Sequence, residues 1–195
     1  MDLVSRVQAI CLKPKEEWVK IKEEQTPIPQ LFMSYAVVLA AIPAAAQFIG
    51  YGLVGFQVPF YGMFRLGIGS SLARAILAYI FSLVSVYFFG FVINALAPTF
   101  QSKQNPENAM KLAVYCMTPM WVAGVLYLIP VLGVLALLAG LYGLYILYLG
   151  FATPLMDTPK EKVMGYFVVS LVVVIVIMGI VGLILGAIIA LGPRM

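Results

Sequence analysis

The residues of this chain best suited to chemistry are two prolines inside apolar runs, a lysine near one of them, and a row of tyrosines. Pro43 and Pro119 each lack an N–H, so the carbonyls of Leu39 and Tyr115 lose their usual helical donors. Freed carbonyls of that kind bind cations or polar groups in broken-helix transporters. Nearby hydroxyls or waters also satisfy them, and proline is frequent in membrane helices, so a simple kink is the commoner outcome. Thr118 is well placed to contribute such a hydroxyl. Lys111 falls near a helix end, where its amine can snorkel towards headgroups instead of standing as a buried charge.

Tyr142, Tyr145 and Tyr148 recur at every third residue, with Gly140 and Gly143 close by. Rings beside glycines suit a packing seam; the sharper alternative is a groove for a lipid or a partner helix. Gly182 and Gly186 form a G-x-x-x-G pair that fits close helix packing, either inside a bundle or in a homo-oligomer.

Other chemistries lack their residues. The chain has no histidine, and its two cysteines, Cys11 and Cys116, sit in different settings, so neither a metal centre nor a disulfide is expected. No cofactor motif, phosphate loop or nucleophile elbow is present, and an enzyme is not expected. Glu107, Asp157 and Glu161 all fall in loops, which disfavours an ion-coupled carrier. A passive pore would have a thin polar lining of Gln47, Ser82, Ser85, Asn94, Thr118 and tyrosines.

Such residues must be held by membrane-spanning helices. Of 195 residues 63% are hydrophobic and 10% charged, against about a quarter charged in soluble domains. The expected fold is an all-α membrane protein, a bundle of five transmembrane helices with a short amphipathic amino-terminal segment. The spans fall at about 30–53, 71–97, 109–129, 131–153 and 162–191, leaving residues 1–29 as a cytoplasmic segment and 30–195 as the transmembrane domain. A four-span alternative, with the Pro43 segment only dipping into the bilayer, weakens the charge bias described below.

Residues 1–12 and 13–24 read as two interfacial helices, with Trp18, Lys20 and Lys22 anchoring at the headgroups and Glu16 placed to pair with Lys20. A solvated tail is the plain alternative. Pro14 suits a first helical position, as does Pro106 behind the N-cap Asn105. Thr158, Pro159 and Glu161 have capping-box spacing, and Ser70 or Ser71 is the expected cap of the second span. The turn at residues 129–133 ties the third and fourth spans into a hairpin. No cleaved leader is expected, the first span itself directing insertion.

With a cytoplasmic amino terminus, nine basic residues (Arg6, Lys13, Lys15, Lys20, Lys22, Lys103, Lys111, Lys160 and Lys162) lie inside and three (Arg65, Arg74 and Arg194) outside. This positive-inside bias places the carboxyl terminus on the far side of a plasma (inner) membrane. The net charge of +4 points to anionic lipid headgroups in the bilayer, and not to nucleic acid.

Residues 109–166 resemble the Yip1 domain: a helix with a Tyr-x-x-Thr-Pro element, a proline-glycine hairpin, a tyrosine-rich helix ending in glycine, and a Pro-Lys loop into the last span. Those residues are Tyr115, Thr118, Pro119, Pro130, Gly133, Tyr142, Tyr145, Gly150, Pro159 and Lys162, with Lys111 in the same block. The resemblance implies a five-span integral membrane protein with a cytoplasmic amino terminus. Eukaryotic relatives act in vesicle trafficking with prenylated Rab-type GTPases; the roughly 29 residues before the first span here put GTPase binding in doubt. The prokaryotic relatives, which this chain resembles more, have no settled biochemical role. The expectation is therefore a non-enzymatic adaptor or organiser with a membrane-protein partner or a second copy. The alternative is a small transport, channel or lipid-handling protein built on Pro43, Pro119 and the tyrosine face.

Overall fold

The computed structural model describes residues 2–58, 62–153 and 155–191. Five helices are long and apolar enough to cross a bilayer: span one (Ile28–Val54), span two (Ile68–Phe100), span three (Pro106–Leu128), span four (Pro130–Ala152) and span five, whose helix runs Lys160–Leu191. Their number is the five that the sequence predicts. Ahead of them, α1 (Leu3–Leu12) and α2 (Pro14–Glu23) fold back on each other about Lys13.

Local chemistry explains most boundaries. Asn105 Oδ1 accepts the Asn108 N–H at 3.1 Å and Pro106 opens span three, as the sequence predicts. Span two begins earlier than expected, at Ile68 behind Gly67, and Ser71 sits inside its first turn, donating back to the Gly67 carbonyl at 3.1 Å. Before span five the Thr158 hydroxyl accepts from Ser102 Oγ at 2.9 Å, tying two loops together in place of the expected capping box. Between spans one and two the chain forms a small antiparallel hairpin, β1 (Phe56–Val58) with β2 (Gly62–Phe64), which the hydropathy pattern did not signal.

Neither proline-containing span is a plain α-helix. Span one carries Pro43 within Val37–Ile49 and winds as wide π turns at Phe32–Ala36 and Gly50–Val54. Span three stops at Tyr115, restarts at Thr118 with Pro119 in its first turn, and tightens to a 3-10 turn at Gly124–Leu128.

Span three is the axis of the bundle: 67% of its most apolar stretch is buried, against 6% for span five. Spans one, two and four pack around it, and span five lies against spans two and four. One continuous core joins Ile10, Trp18 and Ile21 of the amino-terminal helices to Leu112, Tyr115, Ile146 and Phe151 of the spans.

Candidate functional site

The residues buried in α2 are Pro14, Glu17, Trp18 and Ile21, an i, i+3, i+4, i+7 stripe with a carboxylate on its apolar face. A charge in that position needs a partner, because removing a carboxylate from water costs several kcal/mol, roughly, even after relaxation. The partner is Arg6 of α1, brought opposite by the turn at Lys13. Its Nη1 donates to Glu17 Oε1 at 2.5 Å and its Nη2 donates to Glu24 Oε1. Glu17 is 1% exposed and also accepts from Lys20 Nζ at 3.3 Å, so the expected Glu16 pairing gives way to Glu17. Burial opposes the charge of Arg6, but the Glu24 hydrogen bond and the surrounding carboxylates more than offset it, and its pKa rises above the ordinary value. The guanidinium also lies 5.7 Å from the centre of the Tyr115 ring, a cation–π distance.

Trp18 is fully buried and is not a headgroup anchor. Its Nε1 donates to the Ile146 carbonyl in span four at 3.0 Å, and its ring meets Tyr115 edge-on at 6.0 Å. Gly150 makes room for it: a Cβ there would come within 2.4 Å of Leu112 Cδ2 and 2.9 Å of Trp18 Cζ2. The tryptophan is buried because its N–H finds a carbonyl and its ring finds a glycine-floored slot.

Lys111 corrects the snorkelling expectation. It is 2% exposed, and its ammonium donates to the Ile21 carbonyl at 3.1 Å, to the Glu24 carbonyl and to Asn108 Oδ1 at 3.3 Å. Those carbonyls are the ones the end of α2 leaves without helical donors, at the negative end of its dipole. Three N–H donors meet three acceptors, so the charge is buried without an unmet group. Lys22 and Asp157, at 3.7 Å, bridge α2 to the loop before span five on the exposed rim.

Below Lys111, Tyr115 packs edge-on against Tyr35 of span one at 4.9 Å, and Tyr35 Oη shares a 2.9 Å hydrogen bond with Thr118 Oγ1. Thr118 therefore serves Tyr35 and not the carbonyl that Pro119 frees. At the break in span three, the Cys116 carbonyl sits where a Cβ on Gly143 would be, 2.5 Å away, so span four crosses closely there.

The tyrosine row divides. Tyr142 Oη donates to the Cys11 carbonyl at 2.7 Å, holding the end of α1; Tyr145 lies beside it at 5.8 Å and is exposed; Tyr148 turns to Phe167 of span five at 5.6 Å. No single tyrosine groove results, and the row does not line the cleft beside Pro43. Pro130 opens the hairpin turn, and Gly133 faces the Tyr127 ring, which a Cβ would meet at 2.9 Å. The Pro159 carbonyl accepts the Lys162 N–H at 2.8 Å, while the Lys20 and Lys162 side chains are exposed. A Cβ on Gly182 would meet nothing within 4 Å; the surroundings of Gly186, like Arg194, lie outside the described residues.

Arg6, Glu17, Glu24 and Tyr35 were not legible as site residues. Glu17 alone carried a signal, its place in the Pro14–Ile21 stripe. The assembled site is a latch: it fixes the α1–α2 hairpin to spans three and four, with Arg6, Glu17, Glu24 and Lys111 each paired.

A five-span helical bundle carrying a docked amino-terminal hairpin defines a polytopic α-helical membrane protein. The Yip1 domain model matches residues 8–189, and the chain belongs to the Yip1 domain family. It is similar to the proteins called "Inner membrane protein YohC" of Escherichia coli strains K12 and O6:H1 (CFT073), each 27% identical over 128 residues. Those matches span 66% of this chain and 66% of each relative. No solved structure matches.

Proposed function

We propose that this chain is a non-enzymatic adaptor or organiser in an inner membrane, with its amino terminus on the cytoplasmic side, where the basic residues gather. The observation that carries the reading is the latched hairpin. The Arg6, Trp18 and Lys111 contacts fix its inner face, while Lys13, Lys15, Glu16, Lys20 and Glu23 remain exposed on its outer face. A charged surface pre-ordered in this way binds a partner with little ordering cost. The partner is a second membrane or membrane-associated protein, and anionic headgroups reinforce contact through the same lysines. Ionisable groups committed to one another, together with the lack of histidine, support a non-catalytic role.

A photo-crosslinking residue at Lys15 or Lys20 in native membranes tests this. The expected result is saturable capture of a defined protein, lost when Arg6→Ala unlatches the hairpin while the spans stay inserted. Capture of lipid alone overturns the adaptor reading.

A further inference from the structure

A cleft of about 170 Å³ opens between spans one, two and three at the level of Pro43. Two of the polar side chains on its wall have no hydrogen-bond partner among the described residues. Ser85 is 4% exposed, yet its hydroxyl makes no internal hydrogen bond among the described residues, although a helical serine can bond its own backbone one turn back. Gln47 lines the cleft from span one, nearer its other end, half-buried and equally without an internal partner among the described residues. Two other polar groups of the wall are engaged: Trp121 Nε1 donates to Ser82 Oγ at 3.4 Å, and Tyr79 Oη donates to the Val37 carbonyl at 3.0 Å.

The remaining wall specifies what the Ser85 hydroxyl meets. Tyr79, Phe81, Trp121 and Tyr127 supply ring surfaces, and Met117 and Met120 supply thioethers, the lining that suits a flat aromatic guest. No charged side chain lines the cleft among the described residues, so the guest is neutral. A cavity of roughly 150 Å³ accommodates a benzene-sized ring, which sets the scale at one ring and not a lipid tail.

We propose that this cleft binds a neutral single-ring aromatic molecule carrying one hydroxyl or N–H, of the phenol type, held by a hydrogen bond to Ser85. The site is separate from the α1–α2 latch, and the proposal does not rest on the adaptor reading. The guest enters from the hydrocarbon layer, into which such molecules partition.

The test uses the full chain in phosphatidylcholine nanodiscs, photolabelled with 4-azidophenol and competed with phenol or with toluene, which lacks the hydroxyl. The expected result is saturable labelling on peptides of spans one to three, displaced by phenol. Ala44→Leu, which fills the cleft, removes the saturable fraction. Ser85→Ala weakens displacement by phenol about threefold to tenfold, the value of one neutral hydrogen bond, and leaves toluene nearly unchanged. Labelling that rises without saturation, or that is the same in a folded Ala44→Leu protein, reports partition into lipid and overturns the proposal. Where Ala44→Leu does not fold, equal loss of phenol and toluene in Ser85→Ala overturns it too.

Discussion

The Lys111 ammonium stands 3.1 Å from the Ile21 carbonyl, so a charge in span three caps the end of a helix that lies outside the spans. Replacing Lys111 by methionine keeps the stem but leaves the Ile21 and Glu24 carbonyls without donors in a buried place. The expected loss is about 1–3 kcal/mol, felt first by α2. Hydrogen exchange over residues 18–27 is the measurement, and it should accelerate there while the interior of span three stays protected.

The Arg6 fork makes a graded prediction. Glu17 is enclosed, whereas the Glu24 side chain is 36% exposed and screened by water. Glu17→Ala strands Arg6 without its buried partner and costs on the order of 3–5 kcal/mol of hairpin docking. Glu24→Ala costs clearly less. Spin labels on α1 and span four read the detachment as a broadened distance distribution. The double change Arg6→Met with Glu17→Met restores docking, since an apolar pair of similar volume avoids the desolvation penalty.

Two glycines of span four separate side-chain from backbone crowding. A Cβ on Gly150 strikes Leu112 and Trp18 side chains, which can shift, while one on Gly143 strikes the Cys116 carbonyl itself. Gly150→Ala is expected to unseat Trp18 and move its fluorescence, at a cost of about 1–3 kcal/mol. Gly143→Ala is expected to cost more and to lower folded yield in detergent. Equal effects would show that span four can slide away from the break.

The five spans were legible because about 20 apolar residues leave few alternatives, and Asn105 with Pro106 announced where span three begins. What the sequence could not show was where the polar groups go. Trp18 and Lys111 both read as interface residues, because a wheel drawn for one helix contains no second helix to offer a carbonyl. The hairpin turned each inwards: Trp18 found Ile146 and Lys111 found Ile21. Arg6 was missed for the same reason, its partners lying 11 and 18 residues away across a turn at Lys13. The motif residues Tyr115, Thr118 and Gly150 were legible as a pattern, and only the geometry gave each a neighbour: Trp18 for Tyr115 and Gly150, and Tyr35 for Thr118.

The two thiols report the latch without a label built into it. Burial pushes the Cys11 thiol above its ordinary pKa, and Cys116 is buried in span three. The thiolate is the reacting species, so maleimide or iodoacetamide labelling of Cys11 should rise with pH along a curve displaced upward from that of the unfolded chain. At neutral pH the thiol is protonated in both states and contributes nothing to the pH dependence of stability. As pH climbs through the unfolded thiol's pKa the unfolded state releases its proton first, and the folded state loses stability until the folded thiol also ionises. Arg6→Ala frees α1, returns Cys11 towards the unfolded curve and speeds its labelling near neutral pH, while Cys116 stays unreactive as long as the spans hold together. Labelling of Cys11 with an unchanged pH profile in Arg6→Ala would mean that Tyr142 holds the end of α1 in place without the ion cluster.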